Sequence, residues 1–378
     1  MFVQIHTLVS YSASLLNRDD AGLAKRIPFG NSTRLRVSSQ CLKRHWREDL
    51  VHQLPDLPDG LRTRSFFTRC VLPRLIESGM AEDRAQALAE ALATSLVRGG
   101  VERNAEMSQP VLFGLREADY MVALATQANE GAADAAAAVK SLSERLKSPD
   151  EKKNLSAMAK SAAGMTAALF GRFVTSDLLA RVDAPVHVAH AFTVHAANTE
   201  MDYFTVVDDL SHDGETGAAH ANQSELGAGV YYGHVVVDVP LLVSNLTGVE
   251  GRDWRSATAD APRRVLDALV RTITSRSPGA KLGATAPYSR ADLVLLEVGS
   301  DQPRTLANAF IEALVPRGHM LQEAANRLAA QLGRIDAMYG ATASTRTLAT
   351  TLEAAAFAPL SAQSLDGATR GALDAVWA

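Results

Sequence analysis

Arg34-Leu-Arg-Val-Ser-Ser-Gln-Cys-Leu-Lys-Arg-His-Trp-Arg47 changes its hydrophobic period in the middle, and that change decides how the chain reads. Before the serine pair the alternation is that of a strand: Arg34, Arg36 and Ser38 fall on one side, and Leu35 and Val37 on the other, where they can face a core. Ser38 and Ser39 suit a helix cap. From Ser39 onward, at about 100° per residue, Gln40, Lys43, Arg44 and Arg47 gather within an arc of roughly 100°, while Leu42 and Trp46 point away. Free backbone N–H groups and the positive end of the helix dipole favour an anion beside Ser39 and Gln40.

Around this core, residues 21–47 hold no acidic residue and seven basic ones, Lys25, Arg26, Arg34, Arg36, Lys43, Arg44 and Arg47, in a 378-residue chain of formal net charge -4. The plain alternative is a solvated amphipathic helix with an ordinary basic side. Missing local counter-charges and the strand, cap, helix order favour phosphate binding instead. A pI near 6.2 argues against nucleic acid binding over the whole surface, so a polyanion would need a local groove.

The length allows two or three structural units, and 47% hydrophobic with 21% charged residues is ordinary for a globular protein. Cys41 and Cys70 form no CxxC pair and no Cys/His metal spacing, which suggests a reduced, cytoplasmic setting. The apolar N-terminus is broken by Gln4 and His6 and lacks a basic start, so it reads as a strand rather than a signal peptide. No apolar run is long enough to span a bilayer.

Residues 53–60 are a Pro/Asp/Gly break, after which Ala81–Val97, Leu115–Lys147 and Glu151–Phe170 carry helix-forming composition and spacing. Strand patterning returns from about Phe173, with Val186–His195 alternating and a turn-rich stretch at Asn198–Glu225 reading as a projecting hairpin. Further expected elements are a helix at Ala261–Thr274, a buried strand at Ala291–Gly299, and helices at Leu306–Val315 and Leu321–Met338. Strands and helices in this order, with a long helical insertion, suit an α+β fold of the ferredoxin-like or RRM type.

Asp19-Asp20 could bind a hard metal beside a phosphate, as a metal-dependent ribonuclease needs, although adjacent acids on a loop more often serve a turn or an ion pair with Arg18. Asp208-Asp209 and His212-Asp213 take the same discount. His187, His190 and His195 are close in sequence, but alternation separates His190 from the others and no ligand set is completed. Neither a dinucleotide fingerprint, a phosphate loop nor a serine elbow is present. Phe173, Tyr203 and Phe204 are candidates to stack on or wedge between bases, a contact worth about 1–3 kcal/mol per base. Core packing is the competing role.

Several of these motifs together resemble the CasC backbone subunit of type I-E CRISPR Cascade complexes, of the RAMP superfamily. They are Ile5-His-Thr-Leu-Val-Ser10, Leu16-Asn-Arg-Asp-Asp20, Phe29-Gly30, Arg34 to Arg44, Gly171-Arg-Phe-Val-Thr-Ser176, Ala189 to His195, Asp202 to Asp209, Gly227-Ala-Gly-Val-Tyr-Tyr232 and Pro278-Gly-Ala-Lys281. They follow one another in order over nearly the full length. The resemblance implies an RRM-like palm, an inserted helical fingers domain and a β-hairpin thumb. On this chain the palm takes 1–59, 171–197 and 226–378, the fingers 60–170 and the thumb 198–225. It further implies a non-catalytic subunit without metal or cofactor. Copies assemble along one CRISPR RNA, beside other Cascade subunits, and present the guide to target DNA. Its implied guide contacts are Arg18, Ser38, Gln40, Lys43 and Arg47, with Phe173, Phe204 and Thr205 flanking a displaced base; Phe173 stands where the family commonly has methionine. Related type III subunits use an early-loop aspartate to cleave RNA, which makes Asp20, with Asp19, the residue of an enzymatic alternative. A free-standing, monomeric RNA-binding protein is a third reading.

Overall fold

The computed structural model describes residues 1–97, 101, 105–162, 164–172, 182–206 and 220–378, in two compact units. The first unit comprises 1–50, 188–237 and 263–378, and the second 51–187 and 238–262. The chain opens with β1 (Phe2–Ser14), β2 (Arg26–Phe29), β3 (Ser32–Val37) and α1 (Ser39–Gln53). Next come β4 (Gly60–Thr63), α2 (Leu72–Glu77), α3 (Glu82–Leu96), β5 (Val111–Gly114), α4 (Leu115–Asn129), α5 (Ala135–Lys147), α6 (Pro149–Ala162) and α7 (Met165–Phe170). After β6 (Val186–Val188) and β7 (Ala191–Thr193), β8 (Thr199–Val206) pairs antiparallel with β9 (His220–Asp238), from Thr199 opposite Gly227 to Val206 opposite His220. The remainder is α8 (Val239–Thr247), α9 (Asp260–Ser275), α10 (Leu282–Thr285), β10 (Ala291–Gly299), α11 (Met320–Tyr339), β11 (Thr345–Thr350), β12 (Ala362–Gln363) and α12 (Leu365–Trp377).

In the first unit a mixed sheet runs in the order β12-β11-β10-β1-β9-β7-β3-β2. Its period-2 alternation feeds two cores. On one face Leu35, Val37, Ala191 and Tyr231 meet Cys41 and Leu42 of α1, with Trp46 and Leu50 buried beneath the helix. On the other, Leu8, Val230, Tyr232, Leu293, Leu295 and Leu348 meet Phe310 and the Ala324, Ala325, Leu328, Leu332 stripe of α11. Helices thus cover both faces of an α+β sheet.

That second face also holds a buried ionic network. Glu297 of β10 is fully buried and accepts from Arg304 Nη1 and Nη2 (2.5 and 2.8 Å), Arg346 Nε (2.7 Å) and His6 Nε2 (3.1 Å). Arg346 also reaches the Asp336 carboxylate. Since His6 Nε2 donates to Glu297, its Nδ1 is the acceptor for the Tyr232 hydroxyl (2.9 Å), which accepts in turn from the Leu306 N–H (3.0 Å). His234 stacks on His6 with ring centroids 4.6 Å apart. The Glu297 carboxylate thus gathers two guanidinium groups and an imidazole, the compensation that lets a charge survive burial, while Arg304 Nε and His234 Nε2 stay buried without a hydrogen-bond partner.

Three sequence expectations are corrected here. Alternation puts Arg34 with Arg36 on the side expected to bind, but Arg34 is fully buried, with Nη1 donating to Thr193 O (3.1 Å) and Nη2 to Phe310 O (2.8 Å). Leu35 and Val37 turn towards α1, so Arg34 points to the opposite face. The helix expected at Leu306–Val315 is only a 3-10 turn at Ala307–Phe310. Its backbone groups are taken elsewhere: the Ile311 carbonyl by the Asn31 N–H, the Ala313 N–H by Asn31 Oδ1 and the Leu314 N–H by the Val194 carbonyl. The run expected at Glu151–Phe170 breaks into α6 and α7 at Gly164, whose φ of +85° ends a right-handed helix.

Gly30 makes the Asn31 contact possible. Its φ is +60°, and a Cβ there would stand 1.7 Å from the Ile311 carbonyl oxygen, a backbone atom that cannot step aside. Gly30→Ala is expected to cost about 1–3 kcal/mol of unfolding free energy, measured by urea titration against the parent chain. An unchanged midpoint would contradict this packing.

The second unit is mainly helical, with α3, α4 and α5 closing over Phe66, Phe67 and Phe113. Glu117, buried in the first turn of α4, accepts the Gly114 N–H (2.9 Å) and Arg172 Nη1 (2.7 Å to each oxygen). A buried arginine is thereby compensated at a helix start that itself favours a carboxylate.

Candidate nucleic-acid interface

The strand-to-helix junction builds one wall of an open groove of about 680 Å³ in the first unit. Ser38 is the helix cap: its Oγ accepts the Cys41 N–H (3.3 Å) and its own N–H donates to Asn17 Oδ1 (2.9 Å). The second bond ties the early loop to the helix start and brings Arg18 to the groove. Within that loop Asp19 Oδ1 accepts the Ala21 and Leu23 N–H groups (3.0 and 2.9 Å), the turn-forming role of an aspartate. Asp20 is exposed. Among the described residues no group of three His, Cys, Asp or Glu side chains is placed to hold a metal.

From α1 the groove takes Gln40, Arg44, His45 and Glu48, and Arg276, Gly279, Ala280 and Leu282 also line it. Ala280 N–H donates to Leu15 O (2.9 Å) and Gly279 N–H to His45 Nε2 (3.4 Å), so the backbone itself holds this wall. Burial pushes the His45 imidazole below its ordinary pKa; Glu48 opposes this, while Arg44 and Arg276 reinforce it. Arg44 Nε pairs with Glu48 Oε1 (3.2 Å), both exposed, an ion pair worth at most about 1 kcal/mol and easily exchanged for a phosphate. Three arginines against one glutamate leave the groove positive.

Of the residues the sequence singles out, Arg18, Ser38 and Gln40 line this groove, whereas Lys43 and Arg47 are not among its lining residues. They lie on the neighbouring flank of α1, where burial and then Arg47 lower the Lys43 pKa. Phe204 is 38% exposed on β8, and the Lys281 ammonium lies 5.2 Å from its ring centroid. Thr205 follows it in β8. Phe173, Asp208, Asp209, His212 and Asp213 lie outside the described residues. Arg276 escaped sequence reasoning because its relation to α1 is tertiary, with the Pro278–Lys281 motif the available signal, and His45 of α1 because its role rests on the distant Gly279 N–H.

The absence of acids from 21–47 is also less complete in space than in sequence. Glu225 of β9 pairs with Arg26 and accepts the Ala24 N–H (2.6 Å), and Arg36 donates to Arg26 O (3.2 Å) and contacts His190 Nδ1 (2.9 Å). The basic stretch therefore splits into structural arginines at 26, 34 and 36 and a set along α1 of which Arg44 is the exposed member.

The model of the CT1975-like protein family matches residues 3–377. The chain belongs to the CT1975-like protein family. Among solved structures, this family member resembles a chain of a "CRISPR RNA-guided surveillance complex, pre-nicking" at 27% identity and TM-score 0.78, covering 98% of this chain and 100% of that one. A chain of a "CRISPR RNA-guided surveillance complex" at 22% identity and TM-score 0.62, covering both chains fully, shares the fold. No curated protein matches. Among the described residues, no helix is long and apolar enough to cross a membrane.

Proposed function

We propose that this CT1975-like protein is a non-catalytic, guide-RNA-binding backbone subunit of a type I-E CRISPR surveillance complex. The observation that carries the reading is the positive groove joining Arg18, the capped start of α1, Arg44 and Arg276. The likeness to a surveillance-complex chain over 98% of the sequence supports it. Copies of the chain follow one CRISPR RNA as a filament beside other Cascade subunits, and the exposed guide pairs with target DNA.

The chemistry suits a subunit that accepts any spacer. Arginine and lysine bind phosphate irrespective of base, and a helix cap offers N–H groups rather than base-edge partners. Residues 1–59, 171–197 and 226–378 act as palm, 60–170 as fingers and the 198–225 hairpin as thumb. In this reading the guide passes from the groove along α1 to Lys43 and Arg47, with Phe204, Thr205 and Phe173 at the displaced base. Asp19 is occupied by its turn, which leaves exposed Asp20 as the residue on which the ribonuclease alternative rests.

Lys43→Ala/Arg47→Ala is expected to weaken binding of several unrelated guide RNAs by the same factor, about tenfold, and to flatten the salt dependence by about 0.7 per lost phosphate contact. Filter binding at two salt concentrations measures both. A loss that varies with guide sequence would mean the contacts are to bases.

A further inference from the structure

Phe204 and Lys281 come from segments 77 residues apart, yet they form one unit. The lysine follows Gly279 and Ala280, whose backbone closes the groove wall through His45 Nε2 and Leu15 O. Its stem thus starts from a fixed point. Its ammonium, 5.2 Å from the Phe204 centroid, occupies one side of a ring that is otherwise 38% exposed. A cation–π contact of this kind favours one ring orientation. The contact links β8 to the segment whose Gly279, Ala280 and Leu282 line the groove, although Lys281 and Phe204 are not themselves lining residues.

Resting on the reading of the groove as an RNA track, we infer that Lys281 is a positioning residue that sets which nucleotide is displaced. The ammonium clamps the Phe204 ring from the groove side and neutralises the phosphate entering there, leaving the opposite face of the ring for one base. A flexible lysine alone binds any phosphate, and a free phenylalanine stacks on any base. Coupled, they tie one stacked base to one phosphate. The displaced nucleotide then acquires a fixed phase relative to the groove.

The test uses the full chain assembled on a guide RNA of defined sequence, with 2-aminopurine walked through successive positions as the probe. The parent chain should give bright fluorescence at sharply repeating positions and dim fluorescence between them. Lys281→Ala should spread that brightness over neighbouring positions, at least halving its contrast, while RNA affinity falls less than tenfold and the thermal melt is unchanged. Lys281→Arg should restore the contrast, because a cation again covers the ring. Undiminished contrast in Lys281→Ala, or no rescue by arginine, overturns the inference. So does a loss of affinity far beyond tenfold, which would make Lys281 a principal anchor. Failure of the parent chain to bind RNA would instead strike the proposed function, and is separable because it appears before any variant is made.

Discussion

Arg44→Ala/Arg276→Ala is expected to weaken single-stranded RNA binding about a hundredfold with no change in guide-sequence preference. Each charge-assisted contact to phosphate contributes about 1.5–3 kcal/mol, and about 1.4 kcal/mol is a factor of ten. Arg44 is exposed and pairs with Glu48, so removing it also leaves that carboxylate without this partner in the groove. Arg276 faces it from beyond α9. The pair should also reduce the slope of log affinity against log salt by about 1.4, at roughly 0.7 per contact on single strands. Arg34→Lys provides the contrast: Arg34 is buried and bonded to two carbonyls, so its loss should lower stability while RNA affinity per folded molecule holds. Equal affinity of parent and double variant would remove the groove from the RNA path.

Glu297→Ala is expected to destabilise the first unit by about 3–5 kcal/mol, because two arginines and His6 would lose their buried carboxylate partner. Against a typical total of about 5–15 kcal/mol this is a large share, visible as a shift in the urea midpoint. Burial alone would raise the Glu297 carboxyl, but hydrogen bonds from His6 and Arg304 hold it well below the usual carboxylate range. Its contribution is therefore complete above the unfolded carboxylate value of about 4.3 and is lost as pH falls through the lower folded value. The histidines act at higher pH. Burial lowers His6, and burial with the neighbouring His6 and Arg304 brings His234 down to about 3. Below about pH 6.5 the unfolded chain takes up protons that these rings refuse, so stability falls by about 1.4 kcal/mol per pH unit for each ring until its folded value is reached. Urea titrations at pH 7.5 and 5.0 should differ by about 2 kcal/mol from His234 alone, and a His234→Phe variant should lose that share of the difference. Identical midpoints at the two pH values would refute it.

Strong periodicity made much of the fold legible. The strand at Ala291–Gly299, the helix at Leu321–Met338 and the passage from strand to helix at Ser38 all appear within a residue or two, because in each the apolar spacing and the local backbone preference agree. Where they compete with distant partners the sequence was insufficient. Residues 306–315 carry helix-forming composition, but their backbone groups bond to Asn31, Arg34 and Val194, and those bonds replace the helical ones. For the site, Arg18, Ser38 and Gln40 were readable because loop, cap and helix start are neighbours in sequence.

By itself the sequence determined an α+β chain with a basic, capped helix start and a set of motifs resembling one family, since period, capping chemistry and local charge are properties of adjacent residues. Tertiary structure alone decided which cations face a groove. Strand alternation sent Arg34 to the opposite core, Glu225 arrived from β9 to neutralise Arg26, and Arg276 and Lys281 were carried in from beyond α9. A charge acts through its distance to other charges, and the fold sets that distance.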